Sequence, residues 1–238
     1  MNQYQGAGYN ADIIMCIDST GSMTPCLDNV KKQALSFYTD FLNAMEESGR
    51  KVDKLRIKVI DFRDYGDTKA PAMTESRYFN FSAEEDESTA FSEHINSIQP
   101  LYGGDLPENA LEAISLALKS DWVQDGTKRR HVIVLFTDAP ALPLAARAGC
   151  PGYPDGMPKD LAQLSEWWEG EGQEFSGNYE TASGRLIIFA PDAEPWTEFQ
   201  TWSRTWYTPT APGAGMSDID MTMVMDVLVK SFTAQVKD

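Results

Sequence analysis

"IMCIDSTGSM", residues 14–23, runs apolar for four residues and then breaks into an aspartate, hydroxyls and a glycine. Extended backwards it becomes "DIIMCID", the kind of short apolar run that a strand covered on both faces of a parallel sheet produces. "HVIVLFTD", residues 131–138, repeats the pattern, apolar from Val132 to Phe136 and again closing on an aspartate. Two such strands predict a sheet with Asp18 and Asp138 at its edge, and Ser19, Thr20 and Ser22 beside the first of them.

Helical periodicity fills the stretches between strands. Leu27, Val30, Ala34, Phe37, Phe41 and Met45 recur at helical spacing and predict one amphipathic helix ending near Gly49, with Thr24 as its cap and Pro25 in its first turn. "LRIKVIDF" reads as a second strand and "SRYFNFS" as a short edge strand. "EEDESTAFSEHINSIQ" predicts a solvent-facing helix that turns Phe91, Ile95 and Ile98 inward. The next helix starts near Leu106 and carries Leu111, Ile114 and Leu118. Residues 139–184, rich in Gly, Pro and acidic side chains around "DLAQLSEWW", read as an insertion. Tyr153, Trp167, Trp168, Phe175 and Tyr179 within it are expected to rim the site and offer partner contacts, with one tryptophan of the pair packing inward. "RLIIFAP" is a strand, "WTEFQTWS" a short helix and "TWYTPT" a last edge strand. The closing helix should bury Ile219, Met223, Val227, Leu228 and Phe232.

Strands alternating with helices imply an α/β fold, a doubly wound and mostly parallel sheet flanked by helices on both faces. A chain of 238 residues favours one such domain, here 11–238 behind a polar tail at 1–10. Acidic residues outnumber basic ones 36 to 20, and the formal charge of −16 disfavours nucleic acid and anionic membranes as partners. Cys16, Cys26 and Cys150 have no paired spacing, which suits a reducing cytoplasm better than a disulfide scaffold or a zinc site. No secretory leader pattern is visible, and no apolar run approaches the roughly 18 residues of a membrane span.

Parallel strands deliver their following residues to one edge, where ligands bind at the switch point of the sheet. Asp18 and Asp138 meet there, and the loop "YGGDLPE" brings Asp105 towards it, with Gly103 and Gly104 easing a tight backbone path. These carboxylates, with the hydroxyls of Thr20 and Ser22, form an oxygen-only set that hard divalent cations prefer. Each residue also has an ordinary role open to it. Asp105 and Glu108 have the spacing of a helix capping box, Ser22 suits a turn, and Asp138 could simply end a strand. Asp61 and Asp64 end the second strand and read as structural or rim residues, with Arg63 pairing to an acidic neighbour.

The segments "DSTGSM", "GGDLPE" and "FTDAP" together resemble the metal-ion-dependent adhesion site of von Willebrand factor type A domains, in order, spacing and strand context. The resemblance runs from about Ala11 to Val236 and implies a Rossmann-like fold and a divalent cation. By that resemblance Asp18, Thr20 and Ser22 stand for the family's Asp-x-Ser-x-Ser, Asp105 for its second-loop threonine and Asp138 for its third-loop aspartate. "DFRDYGD" and the GGDxPE second loop are similar to the subgroup found in hemicentin and alpha-kinase-associated proteins. Asp105 departs from the threonine of adhesive members. A further carboxylate lowers the net charge at the cation, which weakens attraction to an acidic partner side chain and favours a neutral or basic contact.

Enzyme readings find less support. A dehalogenase-type phosphohydrolase needs a second aspartate where Thr20 stands. There is no phosphate-binding Gly-Lys loop, no dinucleotide fingerprint and no nucleophile elbow to make His94 or His131 a catalytic base, so both histidines read as surface or edge residues. The expectation is a cytoplasmic, non-enzymatic protein-binding module holding one divalent cation, Mg²⁺ first and Ca²⁺ or Mn²⁺ as alternatives, at Asp18, Thr20, Ser22, Asp105 and Asp138. The competing expectations are a magnesium-dependent phosphohydrolase on a similar sheet and a regulatory subunit of a multi-protein stress or defence system.

Overall fold

The computed structural model describes residues 8–67, 70–82, 84–101, 107–172, 175, 177–217 and 219–234. Strand β1 (Tyr9–Asp18) is central, with β2 (Val52–Phe62) parallel on one side and β5 (Arg129–Phe136) parallel on the other. Beyond β5 lie β6 (Gly184–Pro191) and β7 (Thr205–Thr210), also parallel. Two short strands, β3 (Met73–Glu75) and β4 (Phe79–Phe81), pair antiparallel with successive stretches of β2. The sheet is therefore mixed but mostly parallel, in the order β3-β2-β1-β5-β6-β7 with β4 also on β2.

Each inner strand sends alternate side chains into two separate cores. Ile13, Met15 and Ile17 of β1 join Val132, Val134 and Phe136 of β5 beneath α1 (Thr24–Gln33), α2 (Phe37–Glu47), α3 (Ser88–Ser97) and α6 (Met221–Thr233). Ile14 and Cys16 join Ile133 and Leu135 on the other face, against α4 (Ala110–Leu118) and α5 (Leu161–Glu169). Burial on both sides is why these strands lack polar alternation in the sequence. The connection leaving β1 enters α1 on one face, while the one leaving β5 reaches α5 on the other. The crevice between their C-terminal ends is thus a switch point, where a doubly wound sheet binds ligands.

Several local expectations are corrected. The single long helix is two, α1 and α2, separated at residues 34–36, where Leu35 is 60% exposed and the Ser36 hydroxyl donates to the Gln33 carbonyl. Thr24 does not cap α1: a 3-10 turn at Gly21–Met23 precedes the helix, and the Thr24 hydroxyl donates back to the Gly21 carbonyl. Helix α6 buries Met221, Val224, Leu228 and Phe232 and turns Met223 outward. Asp220 caps the helix by accepting the Met223 N–H. His131 is fully buried, stacked on Trp122, with Nε2 against the Val123 carbonyl and Nδ1 accepting the Glu180 N–H. Burial lowers its pKa, so it is a neutral core group and no surface histidine.

Candidate metal centre

Strand β1 ends at Asp18 with its carboxylate fully buried and hydrogen-bonded through both oxygens. Oδ1 accepts the Thr20 backbone N–H at 2.9 Å and the Thr20 hydroxyl at 2.6 Å, while Oδ2 accepts the Thr137 hydroxyl at 2.8 Å. The residue before Asp138 thus holds the first aspartate in place, tying the ends of β1 and β5 together. Thr20 Oγ1 lies 3.3 Å from Ser22 Oγ, and Ser22 donates to Asp138 Oδ1 at 3.0 Å. Four side-chain oxygens therefore form a continuous chain from Asp18 to Asp138.

The spacing suits a hard cation. Adjacent ligands of a cation held at about 2.1 Å in octahedral geometry lie about 3 Å apart, close to the separations along this chain. The electrostatics point the same way. Burial pushes the Asp18 carboxyl up to about 6 against the bonds from Thr20 and Thr137, and the charge of Asp138 adds to the rise. A cation at the edge would offset that repulsion. Among the described residues, however, no group of three or more His, Cys, Asp and Glu side chains is gathered closely enough to hold a metal on its own. The hydroxyls of Thr20 and Ser22 are thus integral to any ligand set. Asp105 lies outside the described residues.

The rim residues take the structural roles expected of them. Asp64 is held by a bidentate pair from Arg147, both contacts at 2.6 Å, and despite its burial this pairing keeps its carboxyl below the usual range. Arg63 sits 3.8 Å from Asp61 but spends its guanidinium on the carbonyls of Ser19, Pro71 and Gln99. It thereby pins the loop after β1 to two neighbouring loops.

Two contributors escape the sequence reading. Residues 211–217, between β7 and α6, wrap the edge: the Gly213 N–H donates to the Asp138 carbonyl at 2.9 Å and the Gly215 N–H to Asp138 Oδ2 at 2.8 Å. Gly215 has φ +61, and a Cβ there would collide with the Ser22 carbonyl oxygen and Pro25. Gly215→Ala should therefore cost about 1–2 kcal/mol from backbone conformation alone and more from displacing Ser22, read as a lowered urea midpoint. A midpoint equal to the parent's would show the loop free to shift. The other contributor is Glu108, only 2% exposed, whose carboxyl burial pushes up to about 8, with the charges of Asp18, Asp64 and Asp138 adding to the effect.

Three of the insertion's five aromatic residues do not rim this edge as expected. Trp167, Trp168 and Tyr179 are all buried. Tyr153 is half-buried and donates its hydroxyl to Glu112 at 2.9 Å, and Phe175 packs on Trp167.

A fold and an edge of this kind define a class of α/β domain. The sequence profile of the von Willebrand factor A domain matches residues 12–145, more than half of the chain, and the chain belongs to that family. Such domains typically serve as protein-interaction or adhesion modules. Among solved structures, the pilus adhesin SpaC of Lactobacillus rhamnosus GG is similar with a TM-score of 0.51 at 11% identity, over 94% of this chain and 30% of the adhesin. Proximal thread matrix protein 1 from the mussel byssus gives a TM-score of 0.47 at 15% identity, over 97% of this chain and 48% of that protein. This chain therefore spans less than two thirds of either protein, and the likeness to the adhesin is one of fold. No curated protein matches the sequence. Among the described residues no helix is long and apolar enough to cross a membrane.

Proposed function

We propose that this chain is a cation-dependent protein-binding module of the adhesion-site type, acting by capture and not by catalysis. One divalent cation, Mg²⁺ first with Ca²⁺ and Mn²⁺ as alternatives, is held at Asp18, Thr20, Ser22, Asp105 and Asp138. The observation that carries the reading is the chain of oxygens from Asp18 to Asp138, set at ligand spacing at the switch point of the sheet. The GGDxPE second loop supports a likeness to the subgroup noted above, and the carboxylates around the cation favour a neutral or basic partner surface. The three cysteines are free thiols, consistent with work in a reducing compartment such as the cytoplasm.

The test is thermal unfolding of the chelator-treated protein with each cation added back. A ligand that binds only the folded state stabilises it by mass action, about 2.7 kcal/mol at a hundredfold excess over Kd. The parent should gain several degrees, and Asp18→Ala should gain nothing. A melting temperature indifferent to all three cations at millimolar concentration overturns the reading. Partner capture that persists in chelator would leave the cation site standing but remove the cation from recognition.

A further inference from the structure

The end of the sheet away from the cation edge carries positive charge that its surroundings do not balance. Arg130 lies near the start of β5 and Arg185 near the start of β6, and the pairing of Val132 with Arg185 puts both side chains on the face that α6 covers. Both guanidiniums reach the last turn of α6: Arg185 Nε donates to the Ser231 carbonyl at 2.9 Å and Arg130 Nη2 to the Phe232 carbonyl at 3.1 Å. Arg185 is only 1% exposed. Arg130 is half-buried, with Nε enclosed and unpartnered among the described residues, and its guanidinium lies 4.8 Å from the centre of the Tyr9 ring. Burial pulls Arg185 down to about 10, with the charges of Arg130 and Arg204 adding to the fall, and burial lowers Arg130 as well, with Arg50 adding to it. Among the described residues no carboxylate pairs with either group. The acidic residues nearby are committed elsewhere, Glu180 to Arg129, Glu169 to Arg204 and Asp53 to Lys51. Arg50 and Lys128 are exposed, and Lys128 also sits over the Tyr9 ring, at 5.8 Å.

Capping of α6 does not account for the cluster. A helix C-terminus presents roughly half a negative charge, whereas Arg130 and Arg185 bring two full positive ones, so about one and a half charges stay unbalanced in a largely desolvated place. Arg50 and Lys128 enlarge that excess at the surface. Donors are also left over: each Nη of Arg130 spends one N–H on a carbonyl, that of Arg129 or Phe232, and keeps another. We infer that this end of the sheet binds a phosphate group, with Arg130 and Arg50 contacting its oxygens, Lys128 at the rim and Arg185 adding charge from beneath. A phosphate monoester carries about −1.5 to −2 charges at neutral pH, which matches the excess, and its oxygens suit the forked donors of a guanidinium. A carboxylate supplies only one charge. The formal charge of −16 narrows the source. An extended polyanion laid on this end would bring its next charges within a Debye length, about 8 Å at physiological salt, of the acidic remainder. A single compact phosphate, free or on a small molecule, avoids that repulsion, and nucleic acid or an anionic membrane does not. The site shares no residue with the cation edge and does not depend on it.

Calorimetric titration of the full chain in chelator, at neutral pH and fixed ionic strength, tests this with inorganic phosphate, phenyl phosphate and acetate as probes. Both phosphates should bind and acetate should not. Tighter binding of phenyl phosphate supports the site with a monoester as its occupant, and tighter binding of inorganic phosphate supports it with the free ion. Arg130→Gln and Arg50→Gln should each weaken phosphate binding about tenfold or more, while Arg77→Gln, which removes an exposed arginine paired with Glu87, should leave it unchanged. Thermal unfolding checks that the variants fold. Arg50, exposed and outside the contacts with α6, keeps the test decisive should Arg130→Gln unfold. No binding of either phosphate at millimolar concentration, undiminished binding by Arg50→Gln, or an equal loss in Arg77→Gln overturns the site. Acetate bound as tightly as phosphate overturns the assignment to phosphate.

Discussion

Asp12→Ala should destabilise the domain by about 3–5 kcal/mol, read as the shift in urea midpoint at unchanged slope. Asp12 opens the central strand with a fully buried carboxylate, held by Arg56 at 2.8 Å and 2.6 Å and by the Val123 N–H at 2.6 Å. Burial raises its pKa in spite of Arg56, so the pair as a whole is no bargain over an apolar one. Removing one member is a different matter. Arg56, pinned over the Tyr78 ring and to the Asp121 carbonyl, would keep a largely buried charge without the carboxylate that hydrogen-bonds it, only the more distant charge of Asp121 remaining, and Val123 would lose its acceptor. The distinguishing result is the double variant Asp12→Leu/Arg56→Met, which should recover most of the loss. A single substitution costing under about 1 kcal/mol would mean that water reaches Arg56 freely, and the buried-pair argument would fail. Cation binding should survive in the folded fraction, because six residues of strand, about 20 Å, separate Asp12 from Asp18.

The same strand shows what was legible in the sequence. "DIIMCID" and "HVIVLFTD" gave away the two-sided burial of β1 and β5, and with it the position of Asp18 and Asp138 at one edge. Their periodicity needs no knowledge of distant residues. The break between α1 and α2 was hidden because both helices bury the same stripe, from Leu27 through Phe41 to Met45, against one core, so the apolar spacing continues across a gap that Leu35 fills with exposed surface. In the sequence Glu108 shows only a capping-box spacing, because its burial arises from pairing with the Asp138 segment and no local pattern encodes that contact. Gly213 and Gly215 carry a local signal: two glycines two residues apart in "APGAGMS" suit a backbone that curls with positive φ, and here it curls around Asp138.

Trp168→Ala is expected to cost about 3–5 kcal/mol while leaving cation affinity intact. The acidic, glycine-rich surroundings of the insertion suggested aromatic anchors held out to a partner. Instead, Trp168 is completely enclosed, stacked on Tyr179, covered by the Arg204 guanidinium and donating its indole N–H to the Ser203 carbonyl at 2.8 Å. Tyr179 also meets Trp122 and His131, so one aromatic cluster fastens α5 to the start of β5. That position lies at the opposite end of β5 from Asp138, seven residues or about 23 Å along the strand from His131. Truncation would leave a large cavity, a Ser203 carbonyl with only the Thr205 hydroxyl as donor and Tyr179 without its stacking neighbour, whereas Trp168→Phe keeps most of the packing and should cost about half as much. Unfolding midpoints give the first result and titration of the folded protein the second. A stability loss under about 1 kcal/mol would return Trp168 to the surface, and a parallel loss of cation affinity would mean that the two ends of β5 are coupled through the strand, a link that the separate roles of its two ends do not require.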